Sequence, residues 1–263
     1  MLRSSRLVFL VLQLLILGCG SGGAILGGSA SSVSLDDEWQ LGQQIAAQVA
    51  QQTRFVNDPA AVSYLRSVGE RIHAATPLAN RPFNFYIIDD NDVNAFSIPG
   101  GHVYVNRGLI RQADKEDMLA GVLAHEISHV VARHALKQME QANTINTIGS
   151  ILLGNAGQLA QIAGQVVAGG AMARFSRADE KEADDLGLQF LTRAGYDPHG
   201  MLDMFQKLLS LEQGNPGAVA RFFADHPGTQ DRINDISNRI ASMGNRGGVI
   251  DTPSYHSNLR DRM

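Results

Sequence analysis

Apolar residues recur every three or four positions in two segments near the start of the chain, residues 36–52 and 59–75. This spacing places them on one face of an α-helix. Asp58 and Pro59 supply a cap and a first-turn residue for the second segment. The recurring residues are Leu41, Ile45 and Val49 in the first segment and Val62, Leu65, Val68 and Ile72 in the second. The pattern predicts two amphipathic helices.

The apolar period changes across residues 82–109. Apolar and polar residues alternate around Phe85 and again around Val103, and a Pro-Gly-Gly turn signal stands at residues 99–101. This pattern favours a small meander of two or three strands. From Asp114 onward the helical period returns, broken only by short glycine and proline signals. The sequence therefore predicts a mainly α protein with a small β-sheet, of the α+β class.

The start of the chain has the pattern of an export signal. Arg3 and Arg6 precede an apolar run, residues 7–17, that is too short to span a bilayer comfortably. The run ends in Ile16-Leu17-Gly18-Cys19, which resembles the bacterial lipobox, where the cysteine is lipidated and cleavage occurs before it. The alternative is an ordinary signal peptide with an incidental cysteine. We expect a lipoprotein signal peptide at residues 1–18, a flexible tether at 19–34, a folded domain at 35–243 and a C-terminal tail at 244–263.

Composition narrows the possible functions. The chain has 263 residues and is 44% hydrophobic, which is enough for one sizeable core. Its 22 basic and 26 acidic residues give a net charge of −4, so we expect no nucleic-acid partner. A single cysteine can form neither an internal disulfide nor a zinc finger. Any metal ion would therefore be held by histidine and carboxylate side chains.

The helix predicted to begin at Asp114 contains His125-Glu126-Ile127-Ser128-His129. Two histidines four residues apart on a helix are separated by about 6 Å of rise and about 40° of rotation, so both rings can reach one metal ion. Glu126 points roughly 100° away from His125, close enough to act on the attacking water without displacing it. This is the HExxH pattern of zinc proteases. The alternative is a pair of surface histidines on an ordinary amphipathic helix.

A catalytic zinc ion needs a third protein ligand, and residues 177–185 are the richest source of carboxylates. If residues 178–194 form a helix, Glu180 falls within its apolar stripe, while Glu182 and Asp185 point to the other side. A carboxylate facing the core is costly unless it is paired or bound to metal, so Glu180 is the favoured ligand. Asp184 could accept the outer N–H of a zinc-bound histidine and fix its tautomer. The alternative is a solvated acidic helix start.

Taken together, these motifs resemble the gluzincin zinc metallopeptidases, the family of HtpX, the CAAX prenyl proteases and BepA. The residues that carry the resemblance are His125-Glu126-x-x-His129, Ser176-Arg177-x-x-Glu180-x-x-x-Asp184, His226-Pro227 and Arg232. The resemblance implies a zincin-like metalloprotease domain with one Zn²⁺ ion, held by His125, His129 and Glu180. It implies Glu126 as the general base and Asp184 as support for a ligand. The sequence has no clear transmembrane helices, so it is most similar to the soluble or lipid-anchored BepA-like members.

His226 precedes Pro227, which restricts it to extended or turn geometry in a stiff loop. Three roles are open for this histidine. It could be a surface residue, it could donate to the developing oxyanion, or it could occupy the fourth zinc position and hold the enzyme latent. The resemblance implies the fourth-ligand role, since a similarly placed histidine has that position in BepA-like members.

Two other regions suggest how substrate could be bound. His102–Asn106 is our candidate edge strand, which could pair with an extended peptide; the alternative is a sheet that only covers the core. Residues 141–173 lack charged side chains and predict a mobile helical hairpin or lid, with membrane or partner contact as a weaker option. We interpret His102 and His134 as surface residues or as neighbours of the ligands, not as ligands, and assign them no catalytic role.

The sequence therefore predicts a zinc-dependent endopeptidase of the bacterial cell envelope. It would be a periplasm-facing lipoprotein, anchored through Cys19 in the outer membrane, that cleaves unfolded or misassembled envelope polypeptides. One alternative is an envelope assembly chaperone with a latent or structural zinc site. Another is a passive zinc-binding lipoprotein, which would have no need of Glu126.

Overall fold

The first two predicted helices form where the apolar spacing placed them: α1 spans Leu35–Gln52 and α2 spans Pro59–His73. The side chain of Ser34 caps α1, and that of Asp58 caps α2 by accepting from two backbone N–H groups. The computed structural model describes residues 33–141, 145–169, 174–228, 230–244 and 247–263. The predicted signal peptide, Cys19 and most of the tether lie outside these residues.

The three strands form one sheet, in the order β1-β3-β2, with β1 at Asn84–Ile88, β2 at Ala95–Ile98 and β3 at His102–Asn106. β1 runs parallel to β3, and β2 runs antiparallel to it. The predicted meander is therefore wrong in topology. The candidate edge strand, His102–Asn106, is also wrong, because β3 is hydrogen-bonded on both sides. β1 and β2 are the two edges of the sheet; the outer side of β1 carries an isolated bridge between Ile88 and Phe55, whereas that of β2 has no strand partner within the described part of the chain.

Burial is the physical reason why the strand order and the edge strand were predicted wrongly. Every residue of β2 and β3 is buried, so neither strand has a solvated face whose pattern could reveal its neighbours. The tight turn between β2 and β3 places Gly100 and Gly101 at φ +80°, a conformation suited to glycine.

α4 spans Glu116–Val131 and runs through the core, with all but its last residue buried. It packs against α8 (Arg177–Arg193) and α9 (His199–Gly214). α8 comes very close to α4 at Gly187, where an added Cβ would lie 3.3 Å from the backbone nitrogen of His125. The other helices are α3 (Arg107–Gln112), α5 (His134–Gln141), α6 (Ile145–Leu152), α7 (Ala156–Gly169), α10 (Pro216–Asp225), α11 (Gln230–Met243) and α12 (Pro253–Asn258). The predicted class, mainly α with a small sheet, is confirmed.

The uncharged stretch predicted as a helical hairpin contains α6 and α7; residues 142–144 and 170–173 lie outside the described part. Both helices pack against α1. Ile151 and Val166 join a second apolar cluster with Leu41 and Tyr104. Among the described residues, no helix combines the length and apolar character needed to cross a membrane. Movement of the hairpin as a lid stays a prediction.

The chain remains packed beyond residue 243, where the sequence suggested a tail. Tyr255 in α12 is fully buried, and its hydroxyl donates to the carbonyl of Ala113 at 2.7 Å. Leu259 is buried in the same core, just before a 3₁₀ turn at Arg260–Arg262. These contacts place the C-terminal segment next to the start of α4.

Candidate metal centre

α4 presents the two histidines of the HExxH motif on one face. His125 and His129 are buried, and their Nε2 atoms lie 3.1 Å apart. Glu126, between them, is also fully buried. The hydroxyl of Ser97, in β2, lies 3.1 Å from Oε2 of Glu126. The spacing along α4 thus brings His125, Glu126 and His129 together, as the sequence predicted.

α8 brings Glu180 and Asp184 to the same place. Ser176 caps this helix and forms a capping box with Asp179, which fixes where the helix begins. Glu180 is fully buried, and its carboxylate oxygens lie 3.5 Å from Nε2 of His125 and 3.5 Å from Nε2 of His129. By contrast, the side chain of Glu182 is 47% exposed. The faces match those predicted from the apolar stripe.

His226 completes the group from the end of α10. Its Nδ1 lies 3.1 Å from Oε1 of Glu180 and 3.3 Å from Nε2 of His125. Its Nε2 lies 3.3 Å from Oε1 of Glu126. His226 is fully buried, so the surface-residue alternative is wrong.

Four side chains therefore meet in one buried cluster, which we call the four-donor cluster: His125, His129, Glu180 and His226. Each offers one ligand atom, and these atoms lie within 4.8 Å of one another. Lone pairs that face one another at these distances repel unless a cation or protons lie between them. Three imidazoles and one carboxylate are a donor set that Zn²⁺ accepts in tetrahedral sites. The residues present suit a metal ion.

Groups around the cluster hold its members in place. Nδ1 of His125 lies 3.0 Å from Oδ1 of Asp184, the contact predicted from the sequence. Arg232 donates to both oxygens of Asp184 at 2.8 Å and pairs with Glu180 at 2.5 Å. Burial favours a raised pKa for Asp184, but Arg232 and His125 outweigh it and lower that pKa. Asp184 is therefore an anion that can accept from His125.

The two motif histidines differ electrostatically. Burial disfavours the charged form of His125, yet hydrogen bonds with Asp184 and Glu180 outweigh burial and raise its pKa to about 9. Burial lowers the pKa of His129 well below its ordinary value. At neutral pH and without a bound metal ion, His125 is therefore favoured in its protonated form, whereas His129 is favoured as the neutral imidazole.

Two further side chains lie against the cluster: sequence reasoning missed Phe175, and it left His134 as either a surface residue or a neighbour of the ligands. The ring of Phe175 stacks on that of His129, with centroids 3.9 Å apart. His134 is fully buried, and its Nδ1 lies 2.9 Å from Nδ1 of His129. The nearness of His134 to His129 in sequence was the available signal. Its orientation depends on Arg133, the one described non-glycine residue with positive φ, at +59°.

A small sheet beside a HExxH helix, with a glutamate supplied by a second helix, defines the gluzincin class of metallopeptidase-like domain. The chain belongs to peptidase family M48, whose profile matches residues 59–240. The resemblance drawn from the sequence is thereby confirmed.

Curated relatives share most of this region. The chain is 35% identical to the beta-barrel assembly-enhancing protease of Escherichia coli. The match covers 82% of this chain and 46% of that protein. It is 30% identical to the mitochondrial metalloendopeptidase OMA1 of Schizosaccharomyces pombe, over 78% of this chain and 62% of that one. The E. coli metalloprotease LoiP is 31% identical over 62% of this chain and 65% of its own. The chain spans about half the length of the first of these relatives.

Proposed function

We propose that this protein is a zinc-dependent endopeptidase of the bacterial cell envelope that cleaves unfolded or misassembled proteins. The observation that carries the proposal is the four-donor cluster with Glu126 beside it. Family M48 is a peptidase family, and the relatives named above are called proteases or metalloendopeptidases. His125, His129 and Glu180 would hold one Zn²⁺ ion, with His226 as a fourth ligand in the resting protein.

The side chains have distinct roles in this chemistry. Bound zinc supplies Lewis acidity, which polarises a peptide carbonyl and acidifies water. Glu126 takes a proton from the attacking water and passes it to the leaving amine. The Ser97 hydroxyl holds Glu126 in place, while Asp184 and Arg232 hold His125. No covalent bond between substrate and protein is needed.

The substrate class follows from the sheet and from the relatives. β2 has one unpaired side within the described part of the chain, and its residue Ser97 contacts Glu126. An extended peptide that paired with β2 would lie next to the general base. Such pairing selects extended backbone rather than a particular sequence. The name beta-barrel assembly-enhancing protease supports envelope polypeptides as the substrates.

The arrangement of His226 supports a latent resting state. One of its ring nitrogens faces the cluster and the other faces the carboxylate of Glu126. In this position the ring occupies the space that water needs beside the general base. The loop around His226 therefore has to move before hydrolysis.

We place the protein at the periplasmic side of the outer membrane, anchored by lipid on Cys19. The support is the lipobox-like Ile16-Leu17-Gly18-Cys19 at the end of the apolar run. Cys19→Ser should shift the protein to the soluble fraction or leave it unprocessed, as measured by membrane fractionation. Unchanged membrane association would contradict the anchor.

The experiment that tests the activity combines metal analysis with cleavage of an unfolded protein. The purified protein should contain about one zinc ion per chain. Chelation should stop cleavage, and added zinc should restore it. A protein that binds unfolded chains without cleaving them, even when zinc-loaded, would favour the chaperone alternative. Neither the chaperone nor a passive zinc-binding protein would need a glutamate beside the cluster, so the position of Glu126 disfavours both alternatives.

A further inference from the structure

The outer nitrogens of the two motif histidines have chemically different partners. His125 donates toward Asp184, a carboxylate held by Arg232. His129 Nδ1 lies instead 2.9 Å from Nδ1 of His134. The other nitrogen of His134, Nε2, lies 3.3 Å from Oε2 of Glu182. A row of three side chains therefore runs from the cluster to the half-exposed Glu182.

Only one arrangement of protons satisfies this row when His129 binds metal through Nε2. Two imidazole nitrogens form a hydrogen bond when one carries the proton and the other offers a lone pair. His129 offers its Nε2 lone pair to the cluster, so its Nδ1 carries the proton. Nδ1 of His134 must then accept, and the proton of His134 must sit on Nε2. That N–H points to Glu182, which accepts it.

We propose that His134 is a positioning residue for the metal centre. It fixes the tautomer and orientation of His129, and Glu182 fixes His134 in turn. This inference rests on the proposed zinc site. Metal-binding histidines commonly donate their outer N–H to a fixed acceptor, and loss of that acceptor weakens metal binding. Here the acceptor is a neutral ring for His129 and a carboxylate for His125.

The surroundings give His129 a defined orientation. Phe175 stacks on its ring at an interplanar angle of 22°, which sets the ring plane. His134 then sets the direction of Nδ1 within that plane. Oδ1 of Asp179 lies 3.6 Å from Nε2 of His134 and adds negative charge on the same side as Glu182. The ring of His134 is therefore held with Nε2 toward the carboxylates and Nδ1 toward His129.

Arg133 explains how the chain returns His134 to the site. Its positive φ ends α4 and turns the chain, so that α5 begins with His134 against His129. The Arg133 side chain pairs with buried Glu38 at 2.6 Å and donates to the carbonyl of Val33 at 2.7 Å. These bonds to α1 and to Val33, two residues before the helix, hold the turn.

Zinc affinity tests the proposal, measured on the purified protein by competition with a chromophoric chelator. His134→Leu should weaken zinc binding by roughly 10- to 100-fold, because it removes the acceptor for His129. His134→Gln should recover most of the affinity, since its amide oxygen can accept. Equal loss in both variants, or no loss in His134→Leu, would overturn the proposal.

Glu182→Gln has a matched control on the same helix. Asp185 is also a half-exposed carboxylate, but its ion-pair partners are Lys181 and Arg239, away from the cluster. We expect Glu182→Gln to weaken zinc binding by less than about tenfold, below the range for loss of an outer partner, because the amide oxygen can still accept from His134 and only the charge is lost. Asp185→Asn should leave it unchanged. Equal effects in the two variants would mean that general surface charge, rather than the row, is responsible.

Nuclear magnetic resonance provides a test that needs no substitution. Long-range proton–nitrogen correlation spectra of the zinc-loaded protein should show His134 protonated on Nε2 and His129 protonated on Nδ1. A proton on Nδ1 of His134 would refute the proposal. Zinc binding that is indifferent to His134 would refute this inference alone, whereas a wild-type protein that bound no zinc would refute the proposed function.

Discussion

α4 carries a buried polar group at each end, and the two groups differ in how their atoms are satisfied. At the N-terminal end, the carboxylate of Glu116 accepts from Tyr64 at 2.9 Å, Tyr196 at 3.0 Å and Thr252 at 2.6 Å. Every partner is a neutral hydroxyl donor. Toward the C-terminal end, His125 and His129 face each other and a carboxylate instead.

The difference separates a structural group from a candidate active site. The carboxylate of Glu116 is an acceptor surrounded by donors, so its hydrogen-bonding capacity is satisfied by side chains of the protein itself. The four-donor cluster places acceptors against acceptors, which is unfavourable until a cation joins them. Burial of polar side chains is common to both ends. The mismatch between the buried atoms is what marks the metal centre.

The largest effect should come from Glu126→Gln, which removes the proposed general base and keeps the size of the side chain. Hydrolysis of an unfolded protein should fall by about 10³-fold. Zinc content, measured by atomic emission, should stay unchanged because Glu126 lies outside the four-donor cluster. Loss of zinc with the fold intact would refute the assignment of Glu126.

Glu180→Ala should weaken zinc binding and activity together, by more than about a hundredfold, because it removes a proposed ligand rather than an outer partner. Glu182→Ala should cost far less, since its side chain is half-exposed and contacts the cluster only through His134. Chelator competition on both variants checks the ranking. The reverse order would show that the assignment of helix faces is wrong.

His226→Ala should increase the cleavage of unfolded substrate by about tenfold, an order-of-magnitude expectation for freeing the fourth metal position. Zinc should be retained through the three remaining ligands. Initial rates at saturating zinc measure the effect. A fall of about a hundredfold would favour stabilisation of the oxyanion instead.

Asp117→Asn tests the N-terminal end of α4 and should have the smallest effect. Burial raises the pKa of Asp117 from 3.8 to about 7. The folded state therefore loses this proton at a higher pH than the unfolded state does. Ionisation of Asp117 lowers the free energy of unfolding as the pH rises from about 4 to about 7.

Relative to the wild-type protein, Asp117→Asn should thus raise the free energy of unfolding more at pH 8 than at pH 5. The difference between the two pH values should be about 1–2 kcal/mol. Urea denaturation at the two pH values checks this. Zinc affinity should not change. An equal effect at both pH values would contradict the raised pKa.

The parts of the molecule that the sequence could predict are those governed by helical spacing. His125 and His129 share a face because they are four residues apart, and the apolar stripe of α8 placed Glu180 inward. Strand order was not readable, because β2 and β3 are buried on both faces. The role of His134 depends on one backbone turn at Arg133, which no side-chain period reveals.

The missing side chain at Gly187 allows α8 to approach α4 closely beside His125, a residue of the candidate metal centre. A methyl group there would lie 2.8 Å from the Met201 side chain and 3.3 Å from the backbone at Ala124. Zinc bonds to nitrogen are about 2.1 Å long and tolerate little variation. Two helices pushed apart by a few tenths of an ångström would therefore offer a gap fitted to a larger ion. In the proposed zinc site, the fit to the ion would thus depend on how closely two helices pack, at a residue that does not belong to the four-donor cluster.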